Sequence, residues 1–320
     1  MEKTVEKKDR NVTVDVLRGE LALLVLLGHA VQRSFPYTYE SMYLFKIIYT
    51  FHMPFFILLS GYTSIYSDRF NLKNKILRLI YPTYLWTLMI YWLKDLKFTG
   101  LLPSVTFPET FKEYFKMILL RPDYVIWFLY VVFISALLVW IGKKIAGKYK
   151  LLFLAMVAVI LVFFGGGVRT FGIYRIRCYF PFYILGYCMA EYKDQITSIF
   201  KKEYIKYLLV LVPAWLYLGN MWSFDTNVII ASVLAVLGML CVYAVTEIGI
   251  LKIKPAVTIL KWIGRYSLEF YLLQILFLGF GIGEGIIRIT ITFIAAFICI
   301  IISIFISKKV IILNRFLFGK

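Results

Sequence analysis

The chain has 320 residues, of which 61% are hydrophobic and 18% aromatic, and it carries a formal net charge of +18. One water-soluble core cannot bury that much apolar surface, so the composition excludes an ordinary soluble domain and indicates an integral membrane protein. The apolar runs are too long and too unalternating for outer-membrane strands, which leaves an all-α fold in the lipid bilayer. Because basic residues in short connections set the orientation of membrane helices, the positive charge does not indicate nucleic-acid binding.

The apolar runs predict a polytopic helical membrane protein with about ten transmembrane helices, since about 20 apolar residues are needed to cross the hydrocarbon core. The predicted spans are residues 15–33, 44–66, 76–93, 123–142, 150–165, 178–190, 205–219, 226–246, 258–280 and 284–307. Strongly basic connections alternate with poorer ones, which predicts that both termini are cytoplasmic. We therefore expect one transmembrane domain, residues 15–307, between cytoplasmic tails at 1–14 and 308–320.

The first predicted span carries a polar stripe along one helical face. Steps of three and four residues return to the same side of a helix, so Asp15, Arg18, Ala22, Val25 and His29 share a face. The other faces of this helix are almost entirely leucine, valine and alanine. Charged groups are costly in hydrocarbon, so we expect this stripe to face the protein interior or a wet cavity.

The chain has two histidines, His29 and His52, and they lie in consecutive predicted spans. Their unperturbed pKa is the one closest to neutrality among the side chains, which suits proton transfer. A core histidine bonded to a backbone carbonyl is the alternative for each, and it stays open for both. Two distant histidines with few nearby carboxylates do not form a metal-ligand set, so no metal is expected.

Two connections break the alternation of charge. The third, residues 94–122, is long and mixed in charge, and we expect it to form a small external cap. The fifth contains Arg169, Arg175 and Arg177 on the side of the membrane that basic residues disfavour. Arginines there are candidates for binding a phosphate or an acidic sugar, although contact with lipid phosphates is an equal alternative.

Several motifs together resemble the membrane-bound acyltransferase 3 family. Asp15, Arg18-Gly19 and His29, with ten residues between Arg18 and His29, resemble its first-helix signature. FHMPFFILLSGY (51–62) resembles its second-helix signature, especially in the branch related to fucose 4-O-acetylases. Weaker similarities follow in order: RLIYPTY (78–84), WFLY (127–130), FPFYILGY (180–187) and IGRYSLEFYLLQ (263–274).

The resemblance implies a ten-helix-type membrane enzyme that transfers an acyl group, usually acetyl from acetyl-CoA, to a hydroxyl of an envelope glycan. It implies that His29 is the catalytic histidine and Arg18 its partner in the motif. The last motif often ends in histidine in the family, whereas this chain has Gln274.

We therefore expect an O-acetyltransferase of the bacterial cytoplasmic membrane, with acetyl-CoA as donor and a cell-surface polysaccharide or its lipid-linked precursor as acceptor. A homo-oligomer or a glycan-synthesis complex is the expected assembly. The candidate catalytic residues are His29, Asp15 and His52, and the candidate donor-binding residues are Arg18, Arg169, Arg175 and Arg177. Two other classes stay open: a transporter or flippase for an envelope glycan, in which the same polar residues line a path, and a subunit that anchors a synthase.

Overall fold

A computed structural model describes residues 11–66, 70–94, 107–199 and 202–319, and every regular element in these ranges is helical. The α-helices, numbered α1 to α15 in chain order, are Val12–Ser34, Tyr43–Ser64, Leu72–Lys75, Tyr81–Leu93, Phe111–Leu120, Trp127–Ala146, Lys150–Phe164, Ile173–Glu191, Lys193–Ile199, Leu211–Gly219, Val228–Ile248, Lys254–Arg265, Ser267–Phe277, Gly285–Lys309 and Ile311–Phe318. A π-helix at Ile76–Ile80 leads into α4. The predicted all-α fold is confirmed over the described ranges.

Four helical segments in the described ranges are long and apolar enough to cross a membrane. They are Tyr43–Ser64, Trp127–Phe164, Val228–Lys252 and Gly285–Lys309. The second of them combines α6 and α7, which a short 3-10 turn at Gly147–Tyr149 joins. These segments agree with a membrane protein, while the ten spans and the cytoplasmic termini remain predictions.

Several predicted spans differ from the observed helices. The span expected at 258–280 is two helices, because α12 ends at Arg265 and α13 begins at Ser267. The span expected at 178–190 begins earlier, at Ile173, directly after Gly172 takes a left-handed conformation with φ of 66°. The span expected at 205–219 starts as a 3-10 helix before α10, whose third residue is Pro213. Proline clashes with the carbonyl four residues earlier, which disfavours a continuous α-helix there.

Helices α1 and α2 form the centre of the fold. α1 packs against α12, α2, α13 and α14, and α2 packs against α8 and α11. The α2–α8 crossing depends on glycine, because a Cβ at Gly61 would overlap the carbonyl oxygen of Tyr183 and one at Gly186 that of Leu58. The α1–α12 crossing follows the same pattern at Gly19 and Gly264. Small residues let helix backbones approach closely in membranes, so Gly61 acts here in helix packing.

The cap predicted for the third connection lies partly outside the described residues, which resume at 107. In the described part, α5 packs against α4 through Tyr114, whose hydroxyl donates to the carbonyl of Thr87 over 2.7 Å. None of residues 107–122 lines the cavities that contain His29 and Arg18. A covering role for this connection therefore stays a prediction.

Candidate active site

Two cavities enter the helical bundle and meet at three side chains. The first, here called the His29 cavity, has a volume of about 660 Å³, and the second, the Arg18 cavity, about 460 Å³. Met53 from α2 and Tyr271 and Gln274 from α13 line both cavities. These three side chains form a junction between the two spaces.

The polar stripe of α1 runs along both cavities. Arg18, Ala22 and Val25 line the Arg18 cavity, whereas His29 lines the other. At 1.5 Å per residue, Arg18 and His29 are about 16 Å apart along the helix axis, so they do not touch. We expected this face to lie in the protein interior or along a wet cavity, and these four residues line a cavity. Asp15 lies in the interior, because it is 2% exposed and lines neither cavity.

A hydrogen-bond relay orients His29. Its Nδ1 lies 2.6 Å from Oε1 of Gln32, and the hydroxyl of Tyr49 donates to the same oxygen over 2.8 Å. An amide oxygen only accepts hydrogen bonds, so this contact requires the hydrogen on Nδ1. Nε2 of the neutral imidazole then keeps its lone pair and is able to take a proton.

Aromatic packing holds Tyr49 in place. Its ring stacks on Phe45 with centroids 3.8 Å apart, and Trp222 and Phe224 lie 6.0 and 6.1 Å away. Trp222 and Phe224 belong to the connection between α10 and α11 and line the His29 cavity. These aromatic rings limit the movement of the Tyr49 side chain. Because its hydroxyl bonds Gln32, they also help to hold Gln32 and His29 in position.

His52 lies in the same cavity and is 3% exposed. Its Nδ1 is 2.7 Å from the carbonyl oxygen of Ile48, which requires the hydrogen on Nδ1. The backbone-bonded alternative considered for this histidine is therefore present. In that form Nε2 accepts hydrogen bonds, so a neutral His52 suits contact with a hydroxyl group and not donation to an oxyanion.

Cationic side chains also line the Arg18 cavity. Arg18 donates through Nη2 to Oγ1 of Thr63 over 2.8 Å, which fixes its guanidinium between α1 and α2. Lys75 and Arg78, from α3 and the π-helix, line the same cavity. Burial, and then the positive charge of Arg78, lower the pKa of Lys75. Clustered cations of this kind favour an anionic ligand.

The three arginines of the fifth connection separate in the structure. Arg175 and Arg177 lie in the first two turns of α8 and line the His29 cavity. Arg169 precedes that helix, is exposed and lines neither cavity. Arg18 is therefore in a different cavity from Arg175 and Arg177, although the sequence analysis placed all four in one donor-binding set.

Three polar groups at the centre of the site were not singled out from the sequence: Gln32, Tyr49 and Tyr271. Gln32 follows His29 by three residues, so the helical spacing contained a signal for it. Tyr49 and Tyr271 did not stand out in the sequence, because the chain contains 24 tyrosines. Within the described ranges, no group of three or more His, Cys, Asp or Glu residues is placed to hold a metal ion.

The helices and the two cavities that share lining residues define a helical membrane protein with a histidine inside the bundle. A family model described as an acyltransferase domain, Acyl_transf_3, matches residues 11–308. The chain therefore belongs to the acyltransferase 3 family, and the resemblance found in its motifs is confirmed.

Two relatives carry the name nodulation protein NolL. The one from Mesorhizobium japonicum is 26% identical over 229 residues, which cover 68% of this chain and 58% of the relative. The one from Sinorhizobium fredii is 42% identical over 57 residues, 17% of this chain and 16% of the relative. The chain thus spans less than two thirds of these relatives. No solved structure matches it.

Proposed function

We propose that the protein is an O-acyltransferase that moves an acyl group, most simply acetyl, from acyl-CoA to a hydroxyl group of an envelope carbohydrate or its lipid-linked precursor. The observation that carries this proposal is the free Nε2 of His29 in a cavity that shares three lining residues with the Arg18 cavity, in a chain of the acyltransferase 3 family. Two reactants that enter from opposite sides would meet at that junction.

The donor is proposed to enter the Arg18 cavity. Arg18, Lys75 and Arg78 offer charge-assisted hydrogen bonds to the phosphates of the coenzyme. This end of α1 also follows the basic N-terminal tail in the sequence, and the positive-inside rule predicts that this tail is cytoplasmic, where acyl-CoA would be available. The pantetheine arm would then pass Met53 and bring the thioester to His29.

The proposed chemistry uses His29 and Gln32, which line the same cavity. Nε2 of His29 takes the proton of the acceptor hydroxyl as its oxygen attacks the thioester carbonyl, and the proton then passes to the departing thiolate of coenzyme A. Gln32 stabilises the imidazolium that forms, because its Oε1 accepts from Nδ1.

Two donors at the junction suit the oxyanion of the tetrahedral intermediate. The oxygen of Tyr271 accepts from the backbone N–H of Phe128, which leaves its own hydrogen to donate. Gln274 donates one amide hydrogen to the carbonyl of Tyr271 over 3.1 Å and has a second. Gln274 is thus proposed to act as a hydrogen-bond donor where relatives often have histidine.

The test is acetyl-CoA turnover by the purified, detergent-solubilised protein with a mixture of envelope glycans, measured as released thiol. We expect His29→Ala to lower glycan-dependent thiol release by about 10²- to 10⁴-fold, the usual contribution of a general base. His29→Gln, which keeps a polar side chain of similar length, should be equally inactive while its melting temperature stays near that of the wild type. Unchanged turnover in either variant would contradict the proposal.

A glycan transporter is the second candidate, and the two neighbouring cavities with shared lining residues are the observation that favours it. It would move labelled glycan into proteoliposomes without any acyl donor. Movement without donor, together with an absence of saturable acetyl-CoA binding, would replace the acyltransferase proposal with this one.

A further inference from the structure

The His29 cavity contains two cationic side chains without a carboxylate partner. Arg175 and Arg177 take part in no ion pair with any residue that the structure describes. Asp225 lines the same cavity, but it is exposed and forms no ion pair with either arginine. Both arginines are half-buried and line the cavity without a carboxylate partner, and such an arrangement favours an anion supplied from outside the chain.

Arg175 is held in a fixed orientation. Its guanidinium lies 5.0 Å from the ring centroid of Trp127, and Trp127 stacks on Tyr179 with centroids 4.7 Å apart. Stacking on an aromatic face leaves the edge N–H groups of a guanidinium free to donate, and Arg175 uses one such contact in a side-chain hydrogen bond to Tyr179. The side chain is therefore preorganised for a planar or tetrahedral anion.

Arg177 is packed against a glycine loop. A Cβ at Gly166 would overlap Nη1 of Arg177, so the absence of a side chain there gives the guanidinium its space. Nε of Arg177 is buried and has no hydrogen-bond partner within the described residues. Gly166 lines the same cavity, as does Tyr174 in the first turn of α8, where the positive end of the helix dipole lies. The positive end of the helix and the Arg177 side chain together favour an anion at this wall of the cavity.

We infer that the acceptor of this protein is anionic and that its negative group binds Arg175 and Arg177. The inference rests on the proposed acyl transfer, and it names the class of acceptor: a glycan that carries a carboxylate, as in a uronic acid, or a phosphate, as in a glycosyl phosphate. Both groups accept forked hydrogen bonds from arginine. The donor phosphates are assigned to the other cavity, which has cations of its own.

The first experiment compares matched acceptors: methyl glucuronide with methyl glucoside, and glucose 1-phosphate with glucose. We expect Arg177→Gln to lower kcat/KM for the anionic acceptors by about 10- to 100-fold, as for loss of a hydrogen bond to a charged group, with KM for acetyl-CoA unchanged. Arg177→Lys should restore part of this loss. Arg169→Gln removes a nearby arginine outside the cavity and should change nothing. Comparing the glucuronide pair with the glucose 1-phosphate pair shows whether the site accepts a carboxylate or a phosphate.

A second measurement does not depend on acyl transfer. Thermal stabilisation of the solubilised wild type by methyl glucuronide or glucose 1-phosphate, without acyl donor, should saturate and should be lost in Arg177→Gln. Saturable binding without turnover would sustain the anion site while the proposed function fails. Equal stabilisation by charged and neutral sugars, no stabilisation at all, or a raised KM for acetyl-CoA in Arg177→Gln would overturn the inference.

Discussion

The relay that orients His29 gives the sharpest test of the site. Gln32→Leu keeps the size of the side chain but removes the oxygen that accepts from His29 Nδ1 over 2.6 Å and from Tyr49 over 2.8 Å. Without this acceptor the imidazole loses its preference for the form with a free Nε2. A net hydrogen bond contributes about 0.5–1.5 kcal/mol, so kcat should fall by up to about tenfold. Because Gln32 lines only the His29 cavity, KM for acetyl-CoA should stay within about twofold.

The control for this variant is Gln32→Glu. It keeps an acceptor oxygen at the same place, and its negative charge also stabilises the imidazolium, so kcat should stay within about threefold of the wild type. Both proteins are compared by steady-state thiol release, with melting temperatures to establish that they are folded. Equal losses in the two variants, or wild-type kcat in Gln32→Leu, would refute the positioning role.

Three further predictions concern the donor cavity, the junction and the helix packing. Lys75→Gln should raise KM for acetyl-CoA by about three- to tenfold through a lost phosphate contact, whereas Lys73→Gln, on the same short helix but outside the cavity, should not. Met53→Trp should fill the junction, so that acetyl-CoA still binds in an equilibrium assay while turnover is lost. Gly61→Ala should destabilise the fold by about 1–3 kcal/mol because its Cβ would overlap a carbonyl of α8, and Gly167→Ala, with open space around it, should leave the melting temperature unchanged.

The sequence predicted the helices that have uninterrupted apolar runs. The first two spans, expected at 15–33 and 44–66, are Val12–Ser34 and Tyr43–Ser64, and the last, expected at 284–307, is Gly285–Lys309. The errors fall where backbone conformation decides the boundary, as at Gly172 before α8 and at the break between α12 and α13. Hydropathy averages over such points, so it joins two helices into one or places a helix start too late.

The candidate site was partly predictable for a related reason. Arg18, His29 and His52 stand out because charged or titratable groups are rare on apolar helices, and all three line a cavity. Asp15 shares their helical face but lies about 21 Å from His29 along the axis, since each residue adds 1.5 Å. Spacing along a helix gives the direction of a side chain, whereas the depth at which a cavity begins depends on the neighbouring helices.

The path along α1 explains why one helix carries so much of the site. Its stripe continues past His29 to Gln32, so the residues from Arg18 onwards follow first one cavity and then the other. Val25, one turn before His29 on this stripe, lines the Arg18 cavity. In the proposed mechanism it therefore lies on the donor side of the junction. His29, in contrast, lines the same cavity as Arg175 and Arg177, where the acceptor is proposed to bind. The separation of about 16 Å between Arg18 and His29 is thus consistent with the proposed mechanism, in which the acyl group passes from the donor cavity to the acceptor cavity.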